Sequence, residues 1–78
     1  MPVVSGKVVS AKIKIILNGK QAEIKGDSTL LNLLEEMKLV PQRVACELNR
    51  RIIRRKNYTD TQIYEGDEIE ILQMIGGG

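Results

Sequence analysis

KIKIILNGKQAEI, residues 12–24, places Ile13, Ile15 and Leu17 on one side of an extended chain and Lys12, Lys14 and Ile16 on the other. This period-2 alternation is that of a half-buried strand. Asn18-Gly19 follows at once, the dipeptide best suited to a tight turn whose two central residues both take positive φ, and Gln21–Ile24 resumes the alternation. The stretch therefore reads as a β-hairpin that opens the domain.

Beyond it, Gly26-Asp27-Ser28-Thr29 is a break followed by capping residues. Leu30, Leu33, Leu34 and Met37 then recur at the i, i+3, i+4, i+7 spacing of an amphipathic helix, which is expected over 29–38 and must stop before Val40-Pro41. VACELN, residues 44–49, alternates again, with Val44, Cys46 and Leu48 inward, and Ile52-Ile53 adds a very short strand beyond a polar Asn49-Arg50-Arg51 turn. Gly66-Asp67 is a turn, and EIEILQMI, residues 68–75, carries Ile69 and Ile71 on the buried side. The order of strand, strand, helix, strand, short strand, strand predicts an α+β domain, a mixed four- to five-stranded sheet wrapped on one helix. Residues 1–11 form an N-terminal extension, 12–75 the domain and 76–78 a Gly-only tail, with both ends expected to be mobile.

Composition bounds the chemistry. Seventy-eight residues leave no room for a catalytic cleft between two lobes. The chain has no His and no Trp, and its aromatic fraction of 3% comes from Tyr58 and Tyr64, which removes His-based catalysis and most base stacking. The single Cys46 can form no internal disulfide and, without His, no recognisable zinc or iron site, so no metal is expected and a reducing cytoplasm is the natural location. Cys46 alternates in phase with Val44 and Leu48 and is read as a core residue, not a nucleophile. Neither a targeting segment nor a membrane span is read from the sequence. Glu35, Glu36, Glu68 and Glu70 fall on solvent faces. Arg50, Arg51, Arg54, Arg55 and Lys56 place five positive charges in seven residues, leaving 7 basic against 10 acidic residues elsewhere, a net of −3. Tyr58 alone accompanies them and no nucleic-acid motif surrounds them, so docking to an acidic protein surface is the better reading and no nucleic acid is expected.

The end of the chain is the most informative feature. Gly76, Gly77 and Gly78 form a stem without side chains, thin enough to enter a narrow channel and to present the Gly78 carboxylate to an electrophile. Leu72 and Met74, opposite Ile69 and Ile71 on the last strand, form with Ile16 an apolar patch beside that tail.

Taken in order, KIKIILNGK at 12–20, the Leu-rich helix, VACELNRRIIRRKNY at 44–58 and YEGDEIEILQMIGGG at 64–78 resemble the ThiS-type sulfur carriers (ThiS/MoaD-like), over nearly the whole chain. Asn18-Gly19 matches the family's first hairpin; Asn49, Ile52-Ile53, Arg55 and Tyr58 match its Asn, aliphatic pair, Arg and aromatic; Gly66-Asp67 matches the turn before the last strand, and Gly77-Gly78 the terminal Gly-Gly. The first eleven residues extend beyond the usual family start, and Arg54 stands where Pro is common.

The resemblance implies a β-grasp, ubiquitin-like fold and a carrier that is not itself an enzyme. It further implies that a ThiF-like adenylyltransferase consumes ATP to activate Gly78, that a cysteine desulfurase relay supplies sulfur to leave a thiocarboxylate, and that thiazole synthase receives it for the thiazole of thiamine. The carrier itself would bind no cofactor. Partner-binding residues on this reading are Ile16, Leu72, Met74, Ile75 and Arg55. Alternatives are a carrier for molybdopterin, cysteine or tRNA thiolation, or a ubiquitin-like protein modifier.

Overall fold

A computed structural model of the protein describes residues 11–74; the extension over residues 1–10, Ile75 and the Gly76–Gly78 tail lie outside the described residues. β1 (Lys12–Leu17) and β2 (Lys20–Lys25) form the expected antiparallel hairpin, with Lys12 opposite Lys25 and Leu17 opposite Lys20. Asn18 and Gly19 take φ of 51° and 83°, the left-handed pair that a two-residue turn between twisted strands requires.

Helix α1 spans Leu30–Glu36. Thr29 caps it with a reciprocal pair: the Asn32 N–H donates to Thr29 Oγ1 at 3.1 Å, and the Thr29 N–H donates to Asn32 Oδ1 at 2.9 Å. The helix stops two residues short of the expected Lys38. Lys38 adopts φ 59°, and the N–H groups of Lys38 and Leu39 turn back to the carbonyls of Glu35 and Leu34 at 3.0 and 2.9 Å. This Schellman closure satisfies the last carbonyls before Pro41 is reached.

β3 (Val44–Leu48) and β4 (Arg51–Ile53) pair antiparallel. Arg51 belongs to β4 and not to the turn, because Asn49 and Arg50 alone make the reversal, at φ 53° and 70°. β5 (Glu68–Gln73) runs parallel to β1, with Ile16 beside Glu68, and antiparallel to β3, with Leu48 opposite Ile69. The sheet order is β2-β1-β5-β3-β4. Alternation along each strand sends Ile15, Val44, Cys46, Ile69 and Ile71 into a core completed by Leu30, Leu33 and Leu34 of α1.

Two core residues escape the periodic patterns. Tyr58, 3% exposed, sits in a 3-10 segment over Arg55–Asp60, and Ile63 is fully buried just after it. This segment lies against α1. The Leu30 N–H donates to the Thr61 carbonyl at 2.8 Å, while the Ile63 N–H and Gln62 Nε2 both donate to the Ser28 carbonyl at 3.0 and 2.9 Å. A second 3-10 turn, Pro41–Arg43, leads into β3.

Candidate functional site

β5 is the last strand before the Gly76–Gly78 tail in the sequence, and the described residues end one position beyond it at Met74. Two turn asparagines grip this strand from opposite sides. On the β1 side, the Asn18 N–H donates to the Ile69 carbonyl at 2.8 Å and Asn18 Oδ1 accepts the Ile71 N–H at 2.7 Å, which extends the short parallel ladder past the end of β1. On the β3 side, the Asn49 N–H donates to the Glu68 carbonyl at 2.7 Å, and Asn49 Oδ1 accepts the Glu68 N–H at 2.9 Å. Asn49 Nδ2 also donates to Asp67 Oδ1 at 3.1 Å, while Asp67 Oδ2 accepts the Tyr64 N–H at 2.7 Å. The Met74 N–H donates to the Arg43 carbonyl at 2.8 Å, holding the last described residue.

The outward face of the sheet places the expected contact residues in two groups. Leu72 and Met74 are 68% and 49% exposed, and the β3 and β4 registers bring Ala45 opposite Leu72 and Ile52 opposite Glu47. Ile52, at 77% exposure, was legible as a strand residue but not as part of this patch, which only the register reveals. Ile16 shares the face but not the patch: it lies beside Glu68, four residues before Leu72 or about 13 Å along the strand. Glu47, Glu68 and Glu70 stand between the two.

Arg55 is exposed at the start of the 3-10 segment, three residues after Ile52. The basic run is divided. Arg50 reaches Glu68 at 3.9 Å above the outer face, Arg51 holds the inward register position opposite Leu48, and Arg55 and Lys56 lie beyond the edge strand. The Arg50 pair is exposed and contributes little to stability.

Cys46 is 1% exposed. Burial pushes its thiol up, an effect partly offset by a hydrogen bond with Tyr58. Burial likewise raises the Tyr58 hydroxyl to about 12, with the neighbouring Cys46 adding to the rise and Arg55 opposing it. Both groups stay neutral at physiological pH, which suits a core and not a nucleophile. Among the described residues no cluster of His, Cys, Asp or Glu could hold a metal ion, and no helix is long and apolar enough to cross a membrane. A cavity of about 560 Å³ between β2 and α1 is lined by residues such as Lys25, Asp27, Ser28 and Glu35, with no residue of β5.

The sequence model of the ThiS family matches residues 15–78, which includes the asparagine turns, β5 and the terminal glycines. The chain belongs to the ThiS family. Sulfur carrier protein ThiS of Bacillus subtilis is 36% identical over 63 residues, covering 80% of this chain and 96% of that protein. The crystal structure of the thiamine biosynthesis protein ThiS from Geobacter metallireducens superposes with a TM-score of 0.72 at 29% identity, covering 85% of this chain and all of that one. The α+β sheet-and-helix arrangement is thus the expected β-grasp fold. A thiazole synthase of Magnetococcus marinus is 36% identical over 66 residues, and the chain spans only about one-fifth (20%) of its length.

Proposed function

We propose that this ThiS-family chain carries sulfur for thiamine biosynthesis on the carboxylate of Gly78. The observation that carries the reading is the family match, which extends over residues 15–78 and so takes in Gly76–Gly78. A free carboxylate is a poor electrophile. Attack of one Gly78 carboxylate oxygen on the α-phosphorus of ATP, with departure of pyrophosphate, gives a mixed anhydride whose AMP group a sulfur nucleophile can displace. A ThiF-like adenylyltransferase supplies the ATP-binding site, and a cysteine desulfurase relay supplies the sulfur. The carrier's own part is to offer a reactive end on a stem free of side chains, held by a rigid strand.

Thiazole synthase is the proposed recipient. Supporting it, proteins named thiazole synthase from Magnetococcus marinus and Paramagnetospirillum magneticum contain a segment similar to this chain, at 36% and 32% identity. Intact-mass spectrometry after incubation with ATP, a ThiF-type adenylyltransferase and a sulfur donor tests the reading. The expected result is a mass gain equal to exchange of one oxygen for sulfur, localised to Gly78 and absent from a chain lacking Gly78. A thiocarboxylate formed on the chain without Gly78 would overturn it.

A further inference from the structure

The turn that clasps β5 also holds a reactive pair of residues. An asparagine side chain is attacked at Cγ by the backbone nitrogen of the residue after it when that nitrogen comes close enough, and a Cβ on the following residue crowds the approach. The chain has four asparagines, Asn18, Asn32, Asn49 and Asn57, followed by Gly19, Leu33, Arg50 and Tyr58. Of these four followers only Gly19 lacks a side chain; it is exposed, with open space where a Cβ would stand. The Leu33 N–H is bound within α1 to the Thr29 carbonyl at 3.0 Å, and Tyr58 is buried. Asn49 is held through Oδ1, Nδ2 and its own N–H.

The hold on Asn18 is lighter. Its N–H and Oδ1 each make one bond to β5, just past the end of β1, where the parallel ladder joins only two residue pairs. The bond from the Ile71 N–H keeps Oδ1, and with it Cγ, from swinging to the Gly19 nitrogen, so reaction waits for the clasp to open. Opening costs two hydrogen bonds at an exposed turn and leaves the core intact.

We infer that Asn18 is a site of covalent self-modification that unlocks β5. The Gly19 nitrogen gives its proton to water or hydroxide and attacks Asn18 Cγ. The N–Cγ bond forms, the Cγ–Nδ2 bond breaks, and ammonia leaves a cyclic imide, which water then opens. Opening at the new bond gives aspartate on an unaltered backbone, whose carboxylate still accepts the Ile71 N–H. Opening at the original peptide bond gives isoaspartate, whose backbone is longer by one carbon and whose free carboxylate sits directly on Cα. A two-residue turn that closes Leu17 on Lys20 has no slack for that carbon, so the acceptor is drawn away from Ile71. The step consumes only water and needs neither Gly78 nor a partner.

Ageing the full chain in mildly alkaline buffer, native and in urea, with tryptic peptide masses read over time, tests the site. The peptide of residues 15–20 is expected to gain the mass difference between OH and NH2 ahead of the peptides that hold Asn32, Asn49 and Asn57, and isoaspartyl methyltransferase should label it. In the native chain the gain should run about 10- to 100-fold slower than in urea, the weight of two hydrogen bonds. Asn18→Gly should show neither gain nor label at this turn. The isoaspartate chain, separated by chromatography, is expected to unfold at lower urea than both the unaltered chain and Asn18→Asp. Another asparagine reacting first, equal rates with and without urea, or a native Asn18 still intact once the urea sample is complete would each overturn the site. An isoaspartate chain as stable as Asn18→Asp would overturn the unlocking of β5.

Discussion

Asn18 accepts the backbone N–H of Ile71 at 2.7 Å across fifty-three residues of sequence, so a turn residue at one end of the chain holds the strand at the other. Its own backbone sits at φ 51° and donates to Ile69. One residue thus satisfies a hairpin and prolongs a parallel pairing that otherwise joins only two residue pairs, Ile16 with Glu68 and Leu17 with Ile69.

Removing that acceptor has a separable cost. Asn18→Gly keeps the left-handed turn and loses the side-chain bond, relief at positive φ roughly offsetting the added backbone entropy, and should lower unfolding stability by about 1 kcal/mol. Asn18→Ala loses the same bond and leaves at positive φ a residue that tolerates the left-handed region less well than Asn, and should cost about 2 kcal/mol or more. Urea unfolding of the two variants checks the order, and equal losses would place the whole effect in the hydrogen bond.

Tyr58 makes the fold sensitive to alkali. An unfolded tyrosine ionises near pH 10, whereas Tyr58 holds its proton to about 12. Below pH 10 both states keep the proton and the benefit of burial is complete. Between pH 10 and 12 the unfolded chain releases a proton that the native chain retains, so stability should fall by about 2–3 kcal/mol. Burial of Cys46 acts in the same direction. Urea midpoints from pH 8 to 12 check this, and Tyr58→Phe should flatten much of the decline.

The Cys46 thiol is 1% exposed and raised by burial. Its reaction with a disulfide reagent should be at least about 100-fold slower in the native protein than in urea, because it waits for opening of the core. Rapid native labelling would show that the thiol is accessible and would remove it from the core.

Gly26 is constrained by space. A Cβ built there meets the Ala11 carbonyl oxygen, a backbone atom at the entry to β1 that has little room to yield. Gly26→Ala should destabilise by about 1–3 kcal/mol in urea unfolding.

Arg50 holds φ 70° at a position where a side chain is strained. Arg50→Gly relieves that strain at some entropic cost and should raise stability by about 0.5–1 kcal/mol, little offset by loss of the exposed pair with Glu68. Thermal unfolding of the variant checks the sign.

The sequence by itself determined the strands, the helix and the side each residue faces, because alternation at Ile13–Leu17 and Val44–Leu48 and the 3.6-residue recurrence of Leu30, Leu33 and Leu34 are local consequences of backbone geometry. It also located the Gly tail. Tertiary structure decided which residues meet across the sheet. The stagger of β5 against β1 leaves Ile16 beside Glu68 and apart from Leu72, and the β3 register brings Ala45 to Leu72, with Ile52 beside them. Burial of Tyr58 and Ile63 belongs to the same class, since their 3-10 segment has no period to betray an inward face and is held by long-range bonds to Ser28 and Leu30. Periodicity acts over a few neighbours, whereas register and loop burial are settled by the packing of the whole core.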